Sequence, residues 1–187
     1  MADGILKVGQ IQTSSGSGTI TIGQSGETIT IPSGATVSGA GTNTPAFFAY
    51  KTSSNQSISS GTITKVTFDT ELYDTDGNYA SDRFTPTTSG KYLFTTSIRC
   101  YANSGTLRYV NVYVRKNGST NFGAYTPENN TDDNVNSGGV STSVVYDMNG
   151  SSDYVEIYAQ CHGTSPNVSY DNNGFTTYFQ GFKLIGV

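Results

Sequence analysis

The sequence predicts an all-β protein whose main domain is a sandwich of two facing sheets. Gly accounts for 22 of the 187 residues, and Thr and Ser are abundant while Leu, Glu, Lys and Ala are scarce, a composition typical of strands joined by many turns. Apolar and polar residues alternate with the period of a strand, and no segment keeps a helical period over three turns. Turn sequences separate these runs at regular intervals, which is typical of a sandwich.

Charge and hydropathy exclude several classes of partner. The net charge is −4 and the 10 basic residues are scattered, so we expect no nucleic-acid partner, because nucleic acids select basic patches. No apolar run approaches the ~20 residues that span a bilayer, so we expect no membrane insertion. The first residues lack a basic stretch followed by a long apolar stretch, which predicts folding in a cytoplasm without a secretion signal.

Residues 1–44 predict a Gly/Ser/Thr-rich docking arm or stalk. The sequence Thr-Ile-Thr-Ile at 19–22 recurs at 28–31, nine residues later, and each copy reads as a short strand followed by a turn. Two or three such strands cannot bury a core within one chain. The arm is therefore either a flexible linker or a β-structured arm held by three chains or by a neighbouring protein, and the repeat favours the second interpretation.

Residues 45–187 predict the head domain. Aromatic content rises at Phe47 and Phe48, after which strands and turns fill roughly 140 residues. The candidate strands are 46–51, 62–69, 90–101, 107–116, 139–147, 153–161 and 176–185. Turns are marked by Asp-Gly, Asn-Gly and Ser-Gly sequences between them. This spacing predicts a jelly roll, in which two sheets face each other.

Eight short motifs occur in order along the head: Pro45-Ala-Phe47, Val66-Thr-Phe-Asp69, Asn78-Tyr79, Phe84-Thr-Pro86, Gly90-x-Tyr92-x-Phe94, Lys116-Asn-Gly118, Asp153-Tyr-Val155 and Phe179-x-Gly181-Phe182. With these motifs the head resembles the globular head of complement C1q, in the tumour-necrosis-factor-like jelly-roll superfamily. The resemblance implies a ten-stranded jelly roll and a tight trimer, but it implies no single ligand. The arm has no collagen repeat, which makes a complement role unexpected, and its composition resembles the first segments of bacteriophage fibre and decoration proteins.

The closing strand is apolar on both of its faces. Phe182 and Leu184 lie on one face by parity, while Phe179 and Ile185 lie on the other. A half-buried strand should show one apolar face and one polar face. We therefore expect one face in the sandwich core, with Phe182 and Leu184, and the other against two further copies of the chain.

The strand at 90–101 shows the same pattern. Its expected core face consists of Tyr92, Phe94, Ile98 and Cys100, which leaves Leu93 as an apolar residue that points outward. In the resembled family this strand and the closing strand are neighbours in the sheet that faces the trimer axis. The predicted trimer interface is Leu93, Thr95, Phe179 and Ile185. The alternative is that this face lies under a long loop.

No catalytic set, metal site or cofactor is predicted. The single histidine, His162, follows Cys161 directly, so the two side chains point to opposite faces of a strand. Carboxylates cluster at 69–78 and 128–133, and such pairs can serve glycoside hydrolysis, but the chain has no Trp to line a sugar groove. The turn at 74–78 superficially resembles the start of a calcium loop without its later ligands, so an ion there is left open.

Two cysteines, Cys100 and Cys161, fall on expected core faces. They could face each other across the sandwich. We expect buried free thiols rather than a disulfide, because a cytoplasm is reducing.

Three polar loops are predicted, at 101–107, 118–138 and 162–175. Their aromatic residues are candidate receptor contacts: Tyr101, Tyr125, Tyr170 and Phe175. Tyr among Ser, Gly and Asn is typical of recognition surfaces. It is also the ordinary composition of loops in a Tyr-rich chain.

The leading functional prediction is a non-enzymatic structural protein of a bacteriophage virion. The expected unit is a homotrimer that docks onto other virion proteins through the arm and presents the head to a host-surface glycan or protein. Capsid or tail decoration is an alternative, because about 35 arm residues reach at most ~115–125 Å when extended. A bacterial surface adhesive module is a further alternative, which the missing secretion signal disfavours.

Overall fold

The computed structural model describes residues 11–13, 18–33, 35, 43–128, 135–170 and 175–185. The chain divides into two compact units, Met1–Ala40 and Gly41–Val187. All strands among the described residues lie in the second unit, and none of these residues is helical. The described part of the chain accordingly offers no helix that could cross a membrane.

The described residues form eleven strands. They are β1 (Ala46–Tyr50), β2 (Gln56–Ser57), β3 (Thr64–Lys65), β4 (Thr70–Asp74), β5 (Tyr79–Ala80), β6 (Arg83–Phe84), β7 (Gly90–Lys116), β8 (Thr120–Tyr125), β9 (Ser137–Met148), β10 (Val155–Val168) and β11 (Tyr178–Lys183). All their pairings are antiparallel, so the prediction of an all-β fold is confirmed.

The longest strand, β7, takes part in two sheets. Its first half pairs with β11 and β9, and its second half pairs with β8 and β10. The first sheet therefore contains β4, β1, β11, the first half of β7 and β9. The second contains β8, the second half of β7, β10, β2, β3, β6 and β5, and because β7 belongs to both, hydrogen bonds join all eleven strands into one continuous network. Their inward side chains meet in one core, as in the predicted jelly roll.

Two of the predicted loops are strand in whole or in part. Residues 101–107 were expected to be a loop, but β7 runs through them, and residues 162–168 of the loop expected at 162–175 belong to β10. The reason is long-range pairing: residues 164–168 of β10 bond to residues 100–104 of β7 across a register shift after His162. A partner strand thus satisfies backbone groups that would otherwise need solvent.

The expected core face of the first half of β7 is confirmed. Tyr92, Phe94, Ile98 and Cys100 are all 0% exposed, whereas Leu93 and Thr95 on the other face are half-buried. Strict alternation along this strand fixes which side chains point inward.

The predicted faces of the closing strand were wrong. Phe179 is 0% exposed and packs in the core, whereas Phe182 is half-buried on the outward face opposite Leu93. The cause is register. Gly181 pairs with Phe94, and a Cβ at Gly181 would lie 2.6 Å from Cδ1 of Phe94, so the inward face of β11 needs a glycine beside that ring.

Phe179 belongs to an aromatic core. Its ring meets Phe47 edge-on at 4.7 Å between centroids, and Phe47 stacks on Phe84 at 4.4 Å and on Tyr79 at 5.1 Å. Edge-on and offset-stacked pairs add favourable contact beyond the burial of area. These rings come from four different strands and hold the two sheets together.

The two cysteines form a disulfide, so the expectation of free thiols was wrong. Cys100 lies in the first half of β7 and Cys161 lies in β10, with 6.4 Å between their Cα atoms, and neither cysteine is free. Both are 0% exposed. The expectation that the two residues face each other in the core is met, and that juxtaposition makes the bond geometrically accessible.

The first unit is described at residues 11–13, 18–33 and 35. None of these residues is in a strand, so the strands predicted at 19–22 and 28–31 do not form in the single chain, where those segments have no ladder partner. The turn between the repeats is present, because Glu27 N–H donates to Gln24 O at 3.0 Å. The repeat isoleucines Ile22 and Ile29 remain 62% and 60% exposed.

Candidate functional site

Five aromatic side chains cluster on the outward side of the first sheet. We call them the aromatic face: Phe48, Tyr50, Tyr73, Phe175 and Tyr178. Phe48 lies at the centre, stacked on Tyr178 at 5.4 Å and edge-on to Phe175 at 5.3 Å between centroids. Tyr73 and Phe175 are 43% and 51% exposed. The cluster is packed on itself and open to solvent.

An apolar row runs beside the aromatic face across four strands. Phe182 of β11 pairs with Ala46 on one side and Leu93 on the other, and Leu93 pairs with Val145 of β9. Val145 is 48% exposed. Contiguous exposed apolar surface of this kind marks an interaction site in soluble proteins.

The predicted interface residues fall at different places. Leu93 lies in the apolar row, and Thr95 lies one step along, between Gln180 and Ser143. Ile185 follows β11 and is 48% exposed. The prediction that Phe179 lies in the interface was wrong, because its side chain is enclosed by its own chain. The expected pairing of β7 with β11 is confirmed, and the trimer contact itself stays a prediction.

Sequence reasoning missed most of this face. Phe48 and Tyr50 alternate with the core residues Phe47 and Ala49, so β1 is apolar on both sides, as β11 is. That signal was present in the sequence of β1 but was interpreted only for the closing strand and for residues 90–101. Tyr73 was harder to find, because it comes from an acidic segment that carries no apolar pattern.

The four candidate receptor residues do not form one site. Phe175 belongs to the aromatic face, where it also meets Tyr50 at 4.8 Å. Tyr125 ends β8 in the second sheet and is 77% exposed. Tyr101 lies inside β7 opposite Ser137, and the Tyr170 N–H donates to the Asn55 side chain at 3.2 Å.

The outward side of the second sheet holds a buried carboxylate. The Glu156 side chain is 4% exposed and lies 2.8 Å from both Lys65 Nζ and an Arg83 guanidinium nitrogen, and it accepts a hydrogen bond from the Tyr158 hydroxyl at 3.1 Å. Burial alone would raise the pKa of Glu156, but these donors hold that pKa below its usual range. The ionised group thus links β10 to Lys65 of β3 and Arg83 of β6.

The first carboxylate of the acidic segment at 69–78 is engaged in hydrogen bonds within the head. Asp69 accepts hydrogen bonds from the N–H and hydroxyl groups of Thr52 and Ser53. Partial burial alone would raise the pKa of Asp69, but these hydrogen bonds outweigh it and lower the pKa to about 2. Lys51 Nζ lies 3.9 Å away, nearly buried, and burial lowers the pKa of that amine despite the neighbouring carboxylate.

Groups for an ion or for catalysis are not assembled in the described part of the chain. No three His, Cys, Asp or Glu side chains there are placed to hold a metal ion. His162 stacks on Tyr109 at 5.2 Å between centroids, and its Nδ1 is buried without a partner among the described residues. A histidine stacked in this way lacks the nucleophile and the orienting group of a catalytic set.

A family model described as the C1q domain matches residues 46–184. This range covers the head from β1 to just beyond β11. A search of curated proteins finds no match.

Two solved structures show the same fold. The globular domain of a zebrafish complement 1qA protein is similar to this chain with a TM-score of 0.53 and 16% identity, over 75% of this chain and 97% of that one. Murine APRIL is similar with a TM-score of 0.52 and 12% identity, over 74% of this chain and 98% of that one. At such identities the likeness concerns the fold of the head alone.

Proposed function

The chain belongs to the C1q domain family, and from that premise we propose that it is a non-enzymatic structural protein of a bacteriophage virion whose heads assemble as a homotrimer and attach to a host surface. Domains of this family and of the related tumour-necrosis-factor group typically form homotrimers. The observation that carries the proposal is the apolar outward side of the first sheet.

Burial of that side supports a trimer on energetic grounds. Phe175 and Val145 are 51% and 48% exposed in the single chain, and Phe48 is half-buried. Complete burial contributes about 1.5–3 kcal/mol for each large apolar side chain. Threefold repetition, which is typical of the family, would bring three such faces together and cover them.

The oligomer is tested with the full chain by sedimentation velocity at several concentrations. We expect three times the monomer mass for the wild type, and the monomer mass for Phe48→Asp, because a carboxylate would then be buried against two partner faces. The matched control is Tyr125→Asp, which places the same charge on the second sheet and should remain a trimer. A Phe48→Asp variant that sediments as the wild type does would contradict the interface.

The virion role rests on the arm as well as on the head. The nine-residue repeat leaves Ile22 and Ile29 exposed, which suits docking onto other chains or other virion proteins. Electron microscopy of particles labelled with an antibody against the head tests this role. Label at the tail tip supports a fibre or knob, and label over the shell supports decoration. Label on bacterial surfaces in place of particles would contradict both.

A further inference from the structure

The outward side of the second sheet carries a groove between β7 and β8. It has a volume of about 280 Å³ and is lined by Asn111, Val112, Tyr113, Gly123, Ala124 and Tyr125. Val112 is 0% exposed and points inward, so its neighbours Asn111 and Tyr113 point outward. Tyr113 pairs with Gly123, and Asn111 pairs with Tyr125. Because Gly123 has no side chain, the surface beside the Tyr113 ring stays open.

The polar groups of the groove are held in place from one side. Gln160 Oε1 accepts hydrogen bonds from Asn111 Nδ2 and from the Tyr113 hydroxyl, both at 3.0 Å. Gln160 Nε2 in turn donates to Gly61 O at 2.7 Å. Among the described residues, no donor is bonded to Asn111 Oδ1. The groove thus holds the Asn111 side-chain amide in place, opposite Tyr125 in the strand pairing and beside Tyr113 in the lining.

We propose that this groove binds a pyranose ring of a surface polysaccharide. The C–H face of a sugar ring carries slight positive charge and packs on the negative face of an aromatic ring, which Tyr125 offers with 77% of its surface exposed. A sugar hydroxyl can donate to Asn111 Oδ1. None of the lining residues is charged, and the neighbouring Arg115 guanidinium lies closer to the Tyr158 ring, at 4.3 Å, than to the Tyr113 ring, at 5.9 Å, so the groove itself suits a neutral sugar.

The size of the groove also favours a single ring. Pockets for drug-sized ligands occupy roughly 300–1,000 Å³, and this groove lies just below that range. One ring on an open surface binds weakly. The inference deepens the proposed attachment function and rests on it, because three grooves on one trimer would convert weak single contacts into firm attachment to a repeating polysaccharide.

Saturation-transfer difference NMR on the full chain tests the groove. The probes are the methyl pyranosides of glucose, galactose, mannose, N-acetylglucosamine and rhamnose. We expect saturation of the ring protons of at least one probe. Binding of that probe should weaken roughly tenfold in Tyr125→Ala, which loses the stacking ring. It should weaken about fivefold in Asn111→Ala, which loses one hydrogen bond.

The matched control is Phe122→Ala. Phe122 lies in the same strand as Tyr125 and is 51% exposed, but it pairs with the inward-facing Val114 and lies outside the groove. This variant should bind the probe as the wild type does, and thermal unfolding should show that all three variants are folded. Saturation of no probe, or equal loss in Phe122→Ala and Tyr125→Ala, overturns the proposal.

The experiments distinguish failure of the proposed trimer from failure of the proposed sugar-binding groove. A chain that sediments as a monomer but binds a probe through Tyr125 loses the trimer and keeps the groove. A trimer that binds no probe, or whose binding is unchanged in Tyr125→Ala, keeps the assembly and loses the groove.

Discussion

Phe179 and Phe182 lie three positions apart in β11 and pack on opposite sides of the first sheet. Phe179→Ala should lower the free energy of unfolding by about 3–5 kcal/mol, because it leaves a cavity among the core rings. Phe182→Ala should cost less in folding and should weaken the trimer, since its ring lies in the outward apolar row. Urea unfolding at one fixed protein concentration, with sedimentation of each variant, measures both effects.

The outcome that would contradict these assignments is an exchange of the two phenotypes. If Phe179→Ala folded normally but sedimented as a monomer, the assignment of Phe179 to the inward face of β11 would be wrong. Phe122→Ala serves as a control for truncation of an exposed phenylalanine elsewhere in the head.

Asp69 gives the head an acid-sensitive contact. Its folded pKa of about 2 lies below the ordinary value of 3.8, so its contribution to stability is complete above about pH 4. The contribution is lost as pH falls from about 4 toward 2, when the carboxyl group gains a proton and its bonds from Thr52 and Ser53 weaken. We expect Asp69→Asn to flatten this part of a plot of urea midpoint against pH.

Asp147→Asn is the control for the loss of stability between pH 4 and pH 2, because the Asp147 side chain is 78% exposed in a surface ion pair with Lys91. That variant should keep the wild-type slope between pH 4 and pH 2. Parallel curves for Asp69→Asn and the wild type over this range would show that Asp69 is not the group responsible.

At the scale of elements, the disulfide joins β7 to β10 across a sequence separation of 61 residues. Such a crosslink stabilises mainly by restricting the unfolded chain, typically by about 2–4 kcal/mol. The double variant Cys100→Ala/Cys161→Ala should therefore unfold at a lower urea concentration. The measurement is a pair of urea curves, with and without dithiothreitol.

Reductant provides the internal control for that experiment. Dithiothreitol should shift the wild type towards the double variant once the buried bond is reduced, and it should leave the double variant unchanged. An equal shift in both proteins would mean that the reductant acts elsewhere and that the bond adds no stability.

The local sequence pattern predicted most strands of the head, but it did not predict that 90–101 and 107–116 join into the single strand β7. Alternation in 90–101 identified the buried face of the first half of β7 correctly, because each inward position carries an apolar side chain. Residues 104–106, Ser-Gly-Thr, read as a loop because they have no apolar alternation. Their strand character comes from pairing with residues 60 positions away in β10, which no local pattern contains.

At the scale of the whole molecule, the sequence indicated that the head has a second apolar surface but did not locate it. A strand apolar on both faces indicates a partner on each side, yet parity alone cannot say which face is inside. The choice depended on Gly181 fitting beside Phe94, a contact between two strands. The aromatic face was harder still to predict, because Phe48 and Phe175 come from opposite ends of the head sequence and meet only in the fold.

The pairing of β1 with β11 has a practical consequence. Ala46 lies opposite Phe182, and the Lys183 N–H donates to Pro45 O at 3.1 Å, so the chain enters and leaves the head at one place. Domains whose ends are adjacent tolerate insertion into other proteins and circular permutation. The head is thus suited to insertion into a surface loop of another scaffold through two short linkers, which would display the groove between β7 and β8 without the arm.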